Sequence, residues 1–93
     1  LYAEQYALLV APGHPFADRA HVSWADAGRL PLCLLTGDMQ NRRIIDRHLA
    51  DAGVEIPPML ESNSMTMLHV HVRSGLFATI AAVGTGERFA APM

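Results

Sequence analysis

Two hydrophobic rhythms alternate along this chain. Residues 6–12, YALLVAP, are an apolar run closed by Pro12 and Gly13, the mark of a buried strand. A turn-rich stretch, GHPFADRAHV, follows. Ser23, with Asp26 three residues on, predicts a short capped helical turn that Gly28 ends. Residues 32–35 predict a second buried strand. Beyond Asp38, expected as an N-cap, apolar positions at Ile44, Ile45, His48, Leu49 and Ala52 share one face of an amphipathic helix, which Gly53 closes. Pro57 and Pro58 open an edge-like strand over residues 59–61. Ser64 is placed as the cap of a further helix, with Met65, Leu68 and Val72 inward and Gly75 as its stop. Residues 76–82 predict a last strand, and residues 83–93 an irregular tail.

Strand, short helix, strand, helix, strand, helix, strand is the order of an α/β layer. Parallel neighbours need a helical crossover between them, so the sheet is expected to be mostly parallel. Ninety-three residues allow one small domain. A hydrophobic share of 51% with 17% charged residues describes a folded chain rather than a disordered one. No apolar run approaches the roughly 18–20 residues that cross a bilayer, and LYAEQYALLV is not a signal peptide, so no membrane partner is expected. The first residue is Leu1 rather than Met, and the chain is expected to be a piece of a longer protein.

Charge narrows the partners. All seven basic residues are Arg, scattered among nine acids, for a net charge of −2. A nucleic-acid surface needs a basic patch to neutralise phosphates. Here Arg42, Arg43 and Arg47 stand on one helix among Asp38, Asp46 and Asp51, so this chain is not expected to touch DNA directly. Arg42 and Arg43 read as a solvated helix face. Cys33 lies inside an apolar strand and reads as a small buried thiol; alone, it can form no disulfide within the chain, which fits a reducing cytoplasm.

The residues that carry chemistry are few. His69 and His71 are two apart on a helix, so their rings point about 200° apart, whereas helical metal pairs are four apart. No metal is expected. Gly84-Thr85-Gly86 lacks the later Gly and Lys of a phosphate loop. Neither a nucleophile elbow, nor a Cys with a base partner, nor a carboxylate pair is visible, so no catalytic residue and no cofactor are expected. Two polar clusters remain. Thr36, Gly37, Asp38, Gln40 and Asn41 stand where the second strand runs into the long helix; Glu61, Ser62, Asn63, Ser64 and Thr66 stand where the third strand runs into the next. Both lie at C-terminal ends of strands, where open α/β sheets place ligands. Hydroxyls, amides and free backbone N–H groups hold small polar or anionic molecules without reacting with them. Asp38 and Ser64 are helix caps first. The expected ligand contacts are Thr36, Gly37, Asp38, Gln40, Asn63, Ser64 and Thr66.

Taken in order, YALLVAPGHPFA, VSWADAGRLPLCLL, DAGVEIPPMLES and HVRSGLFATI resemble the effector-binding domain of LysR-type transcriptional regulators. The matching features are His14-Pro15-Phe16-Ala17, Trp24-Ala25-Asp26 with Leu30-Pro31-Leu32, Gly53, Glu61 and Ser74-Gly75. The resemblance covers residues 6–80. It implies a three-layer α/β sandwich, like a lobe of a periplasmic binding protein, with a mixed, mostly parallel sheet. Residues 1–93 would be the second of two lobes, with the first lobe and the helix-turn-helix elsewhere. The family also implies a cytoplasmic, non-enzymatic sensor that holds a small polar or anionic metabolite as coinducer between its lobes. It would reach DNA only through the missing helix-turn-helix and work as a homo-oligomer. By position, the family's ligand loops match residues 36–40 and 63–66. Phe77 and Ala81-Ala82 stand where the family commonly has a second Gly and a Leu-Pro. Two rival readings stand beside this one: a lobe of a transporter's solute-binding protein, which shares the architecture and is marked by an upstream signal peptide, and, from a different class, a small α/β enzyme lobe, marked by turnover or a co-purifying cofactor.

Overall fold

The computed structural model describes residues 6–82 and 90–93. In chain order they form β1 (Tyr6–Leu9), α1 (Trp24–Gly28), β2 (Cys33–Leu35), α2 (Gln40–Asp51), β3 (Leu60–Ser62), α3 (Met65–Arg73), β4 (Thr79–Ala82) and β5 (Ala90–Pro92). β1 pairs antiparallel with β4, Tyr6 opposite Ala82, and antiparallel with β5 on its other side. β2 pairs parallel with β3, Leu35 opposite Ser62. A parallel bridge between Leu32 and Ala78 joins the two groups, closed by Cys33 N–H to the Ala78 carbonyl (2.9 Å) and Ala78 N–H to the Pro31 carbonyl (3.0 Å). The strand order is therefore β5–β1–β4–β2–β3, with β1 opposed to the others. The pairing is mixed, as the resemblance implies, but antiparallel around β1 and parallel only from β4 through β2 to β3, so it is less parallel than expected.

Alternation along the strands divides the core in two. Tyr6, Leu8, Val10, Leu32, Leu34, Ala78 and Ile80 face α1 and α2, where Ala27, Ile45 and Leu49 meet them. Leu9, Cys33 and Leu35 face the other way, onto Leu68 and Val72 of α3. Covering both faces is why these strands read as unbroken apolar runs, and it makes the sandwich three-layered. The loop after β1 is pinned through Phe16, which packs on the first core. His14 Nδ1 accepts the Phe16 N–H at 3.0 Å, and the Arg19 guanidinium lies 4.7 Å over the Phe16 ring.

Two caps stand where expected: Ser23 Oγ accepts the Asp26 N–H at 3.1 Å, and Ser64 Oγ accepts the Met67 N–H at 3.3 Å. Gly53 and Gly75 follow α2 and α3 at φ +82° and +84°, the left-handed positions that end helices. Four expectations are corrected. Met39, not Asp38, is the cap residue of α2, and it makes no side-chain bond, because the helix starts one residue later than the polar stretch suggests. Gly28 is not a stop but part of the last turn of α1. A Cβ there would stand 2.8 Å from Val54 Cγ1 and 2.9 Å from Leu49 Cδ2, so its lack of a side chain is what lets α1 approach α2. Met65 is 41% exposed, the buried stripe of α3 being only Leu68 and Val72. The tail is irregular only in expectation at its end: Ala90–Pro92 pairs with β1, whose second edge offers backbone partners that the local sequence does not announce. Residues 83–89 lie outside the described residues.

Candidate functional site

Parallel pairing of β2 with β3 makes their C-terminal ends emerge side by side. Thr36 N–H donates to the Ser62 carbonyl at 3.2 Å, extending that pairing by one bond beyond the strand ends. Met39 N–H then donates to the Thr36 carbonyl at 3.0 Å, turning the chain into α2. On the β3 side, Ser64 N–H donates to Ser62 Oγ at 3.1 Å before Ser64 caps α3. The two polar clusters, 27 residues apart in sequence between Thr36 and Asn63, are thus neighbours at one end of the sheet. Gly37, Asp38, Gln40, Asn63 and Thr66 are exposed there; Thr36 and Ser64 are half-buried.

The groups differ in what they have left to offer. Ser64 spends its hydroxyl oxygen on its cap. Hydrogen bonds from the Thr36 hydroxyl and from its own backbone N–H hold the Asp38 carboxyl below its ordinary pKa, so it is ionised at neutral pH. Gly37 has nothing within 4 Å of where a Cβ would stand, which leaves its backbone open to approach. α2 starts at the same place with no side-chain cap.

Arg42 overturns the solvated-face expectation; Arg43 beside it is exposed. Arg42 is buried, with Nε donating to Asp46 Oδ1 at 2.8 Å and Nη1 donating both to the Leu35 carbonyl at 2.8 Å and to the Glu61 carboxylate. Burial penalises its charge, but hydrogen bonds to Asp46 and Glu61 outweigh that and raise its pKa. The signal was in the sequence. Arg42 lies three residues before Ile45 and seven before Leu49, inside the buried stripe of α2, and Glu61 is the matching charge of β3.

A groove of about 240 Å³ lies elsewhere, between α2 and the residues leading into β3, with Leu34, Arg42, Leu49, Val54, Ile56 and Pro57 among its walls. None of the seven expected ligand residues lines it. Its walls are largely apolar, and its Arg42 and Asp46 are already paired with each other, so the loops, with their uncommitted polar groups, are the better candidate site. Among the described residues, no three His, Cys, Asp or Glu side chains gather as a metal site would require, and no helix is long and apolar enough to cross a membrane.

An α/β lobe whose polar loops collect at the carboxyl ends of parallel strands has the architecture of a ligand-binding lobe. The chain belongs to the LysR substrate binding domain family, whose model matches residues 1–91. It is 24% identical over 80 residues to a probable nitrogen assimilation transcriptional activator from Synechococcus elongatus, covering 86% of this chain and 26% of that protein. Its fold matches that of HinK, a LysR family transcriptional regulator from Pseudomonas aeruginosa, with a TM-score of 0.76 and 18% identity, over 97% of this chain and 33% of that one. The chain therefore spans a quarter to a third of the length of these relatives.

Proposed function

We propose that residues 1–93 are the second lobe of the effector-binding domain of a LysR-type transcription regulator, a non-enzymatic cytoplasmic protein. Thr36, Gly37, Asp38, Gln40, Asn63, Ser64 and Thr66 form one wall of its effector cleft. The observation that carries this reading is the parallel β2–β3 pair, which gathers two separate polar clusters at one sheet end. The direction of β4 supports it. That strand ends at Ala82 opposite Tyr6, the first residue of β1, and β5 ends beside them with Pro92 opposite Ala7, so a first lobe joined at those ends would lie over the loops. Family membership favours the regulator over the transporter lobe.

The effector is a small polar or anionic metabolite. Ionised Asp38 suits a hydroxyl or ammonium group on its side, while the Asn63 amide and Thr66 hydroxyl are left for a carboxylate or other polar end. Contacts to both lobes shift the population of lobe arrangements, and with it the geometry of helix-turn-helix domains in a homo-oligomer. DNA is reached through those domains alone.

The test uses the full-length regulator and a screen of small carboxylates, amino acids and sugars for thermal stabilisation. With the hit in hand, Asn63→Ala combined with Thr66→Ala lowers effector affinity by about tenfold or more, as the loss of two polar contacts implies. DNA affinity without effector stays unchanged. A normal effector response in that double variant removes these residues from the site.

A further inference from the structure

Arg42 is the charged group that the ligand wall does not use directly. Its side chain is 10% exposed, against 48% for Asp46 and 47% for Glu61, so the guanidinium bears the desolvation and its partners do not. Taking such a charge out of water is unfavourable, and a Met or Leu would continue the stripe of Ile45 and Leu49 without it. Packing alone does not account for an arginine here. Its partners do. Leu35 directly precedes Thr36, and Glu61 stands two residues before Asn63. One Nη1 is therefore bonded to both strands that feed the two polar loops, while Nε is fixed to the helix that follows the first loop. A planar guanidinium fork holds several acceptors in fixed directions; a lysine ammonium on a flexible stem does not.

We infer that Arg42 is the positioning residue of the candidate ligand wall: it sets the separation of residues 36–40 and 63–66 and ties that separation to α2. The inference rests on reading those loops as the ligand wall. It makes α2 and both loops one mechanical unit, so a ligand that draws the loops together moves the helix with them.

Amide hydrogen exchange on the full-length regulator tests this without any ligand, comparing the native protein with Arg42→Met, Arg42→Lys and Glu61→Gln. The Thr36 N–H, bonded to Ser62, and the Met39 N–H, bonded to Thr36, report the loop geometry. The amides of Leu8 and Leu34 report the core. Positioning predicts that Arg42→Met speeds Thr36 and Met39 about tenfold more than the core amides, that Arg42→Lys falls between, and that Glu61→Gln, which keeps an acceptor, has the smallest effect. If Arg42→Met does not fold, Arg42→Lys decides by the same comparison. Exchange that rises equally at loops and core means a merely structural arginine and overturns the inference. A normal effector response in the Asn63→Ala, Thr66→Ala regulator overturns the ligand wall and this role for Arg42 together. Uniform exchange with a lost effector response overturns the role of Arg42 alone.

Discussion

Cys33 shows what burial does to one reactive atom. Its side chain is fully enclosed between β2 and α3, and its thiol makes only a weak 3.8 Å contact to the Leu68 carbonyl. Burial pushes its pKa above the ordinary 9.0, opposed in part by its own backbone and by the Thr79 hydroxyl. Thr79 Oγ1 has no hydrogen bond of ordinary length among the described residues, so its contact with the sulfur is a weak one. A thiol whose pKa is raised by folding contributes stability that is complete below its unfolded value, near 9.0, and lost as pH rises through the folded value. Thermal melts from pH 8 upward should therefore fall more steeply for the native chain than for Cys33→Ala. Equal slopes would mean that the thiol is solvated. The opposite sign governs Asp38, whose lowered pKa withdraws its contribution only in acid.

Among the elements, the contact of α1 with α2 depends on a missing atom. Gly28→Ala places a methyl within 2.9 Å of side chains of Val54 and Leu49. Overpacking of this kind costs about 1–3 kcal/mol, against a helix-propensity gain of about 0.5–1 kcal/mol, so the net change is destabilising. Chemical denaturation should show it, and adding Val54→Ala should recover part of the loss through coupling of touching residues. A destabilisation unaffected by the second change would locate the strain elsewhere. The same helix pair carries an aromatic stack that the apolar stripe only half announced. His48, expected on the inner face, is exposed, yet its ring lies 4.5 Å over Trp24, with Tyr6 edge-on to the indole at 5.7 Å. The Ser23 and Ser64 caps and the helix-ending Gly53 and Gly75 were legible at this scale because they act within one turn, whereas the Asp38 cap and the Gly28 stop were not. Arg42 was legible by spacing and missed by residue type, since a charge reads as surface until its partners are known.

At the scale of the whole molecule, the exposed apolar residues are concentrated where the sheet ends and along α3. Ile56 and Met59, 57% and 72% exposed, border β3, and Val70 and Leu76, 52% and 70% exposed, lie on or after α3. β3 has no strand on its outer side among the described residues, so its backbone edge is open as well. Edges and patches of this kind are normally covered in a larger assembly. The isolated chain should therefore self-associate as its concentration rises, and light scattering across a dilution series would show the mass climbing. A constant monomer mass at millimolar concentration would show that these surfaces are benign.

Sequence alone determined the alternation of strands and helices, two of the helix caps, the two-sided burial of the strands and the identity of the polar clusters. Each of these depends on residues within a few positions of one another, where periodicity and backbone chemistry act. Tertiary structure decided what those segments meet. It set β2 beside β3 so that Thr36 and Asn63 share one end, brought residues 90–92 onto β1, and let Glu61 and the Leu35 carbonyl receive a buried Arg42. Such choices depend on which distant groups can satisfy one another's hydrogen bonds and charges once the core has closed, and no local pattern carries that information.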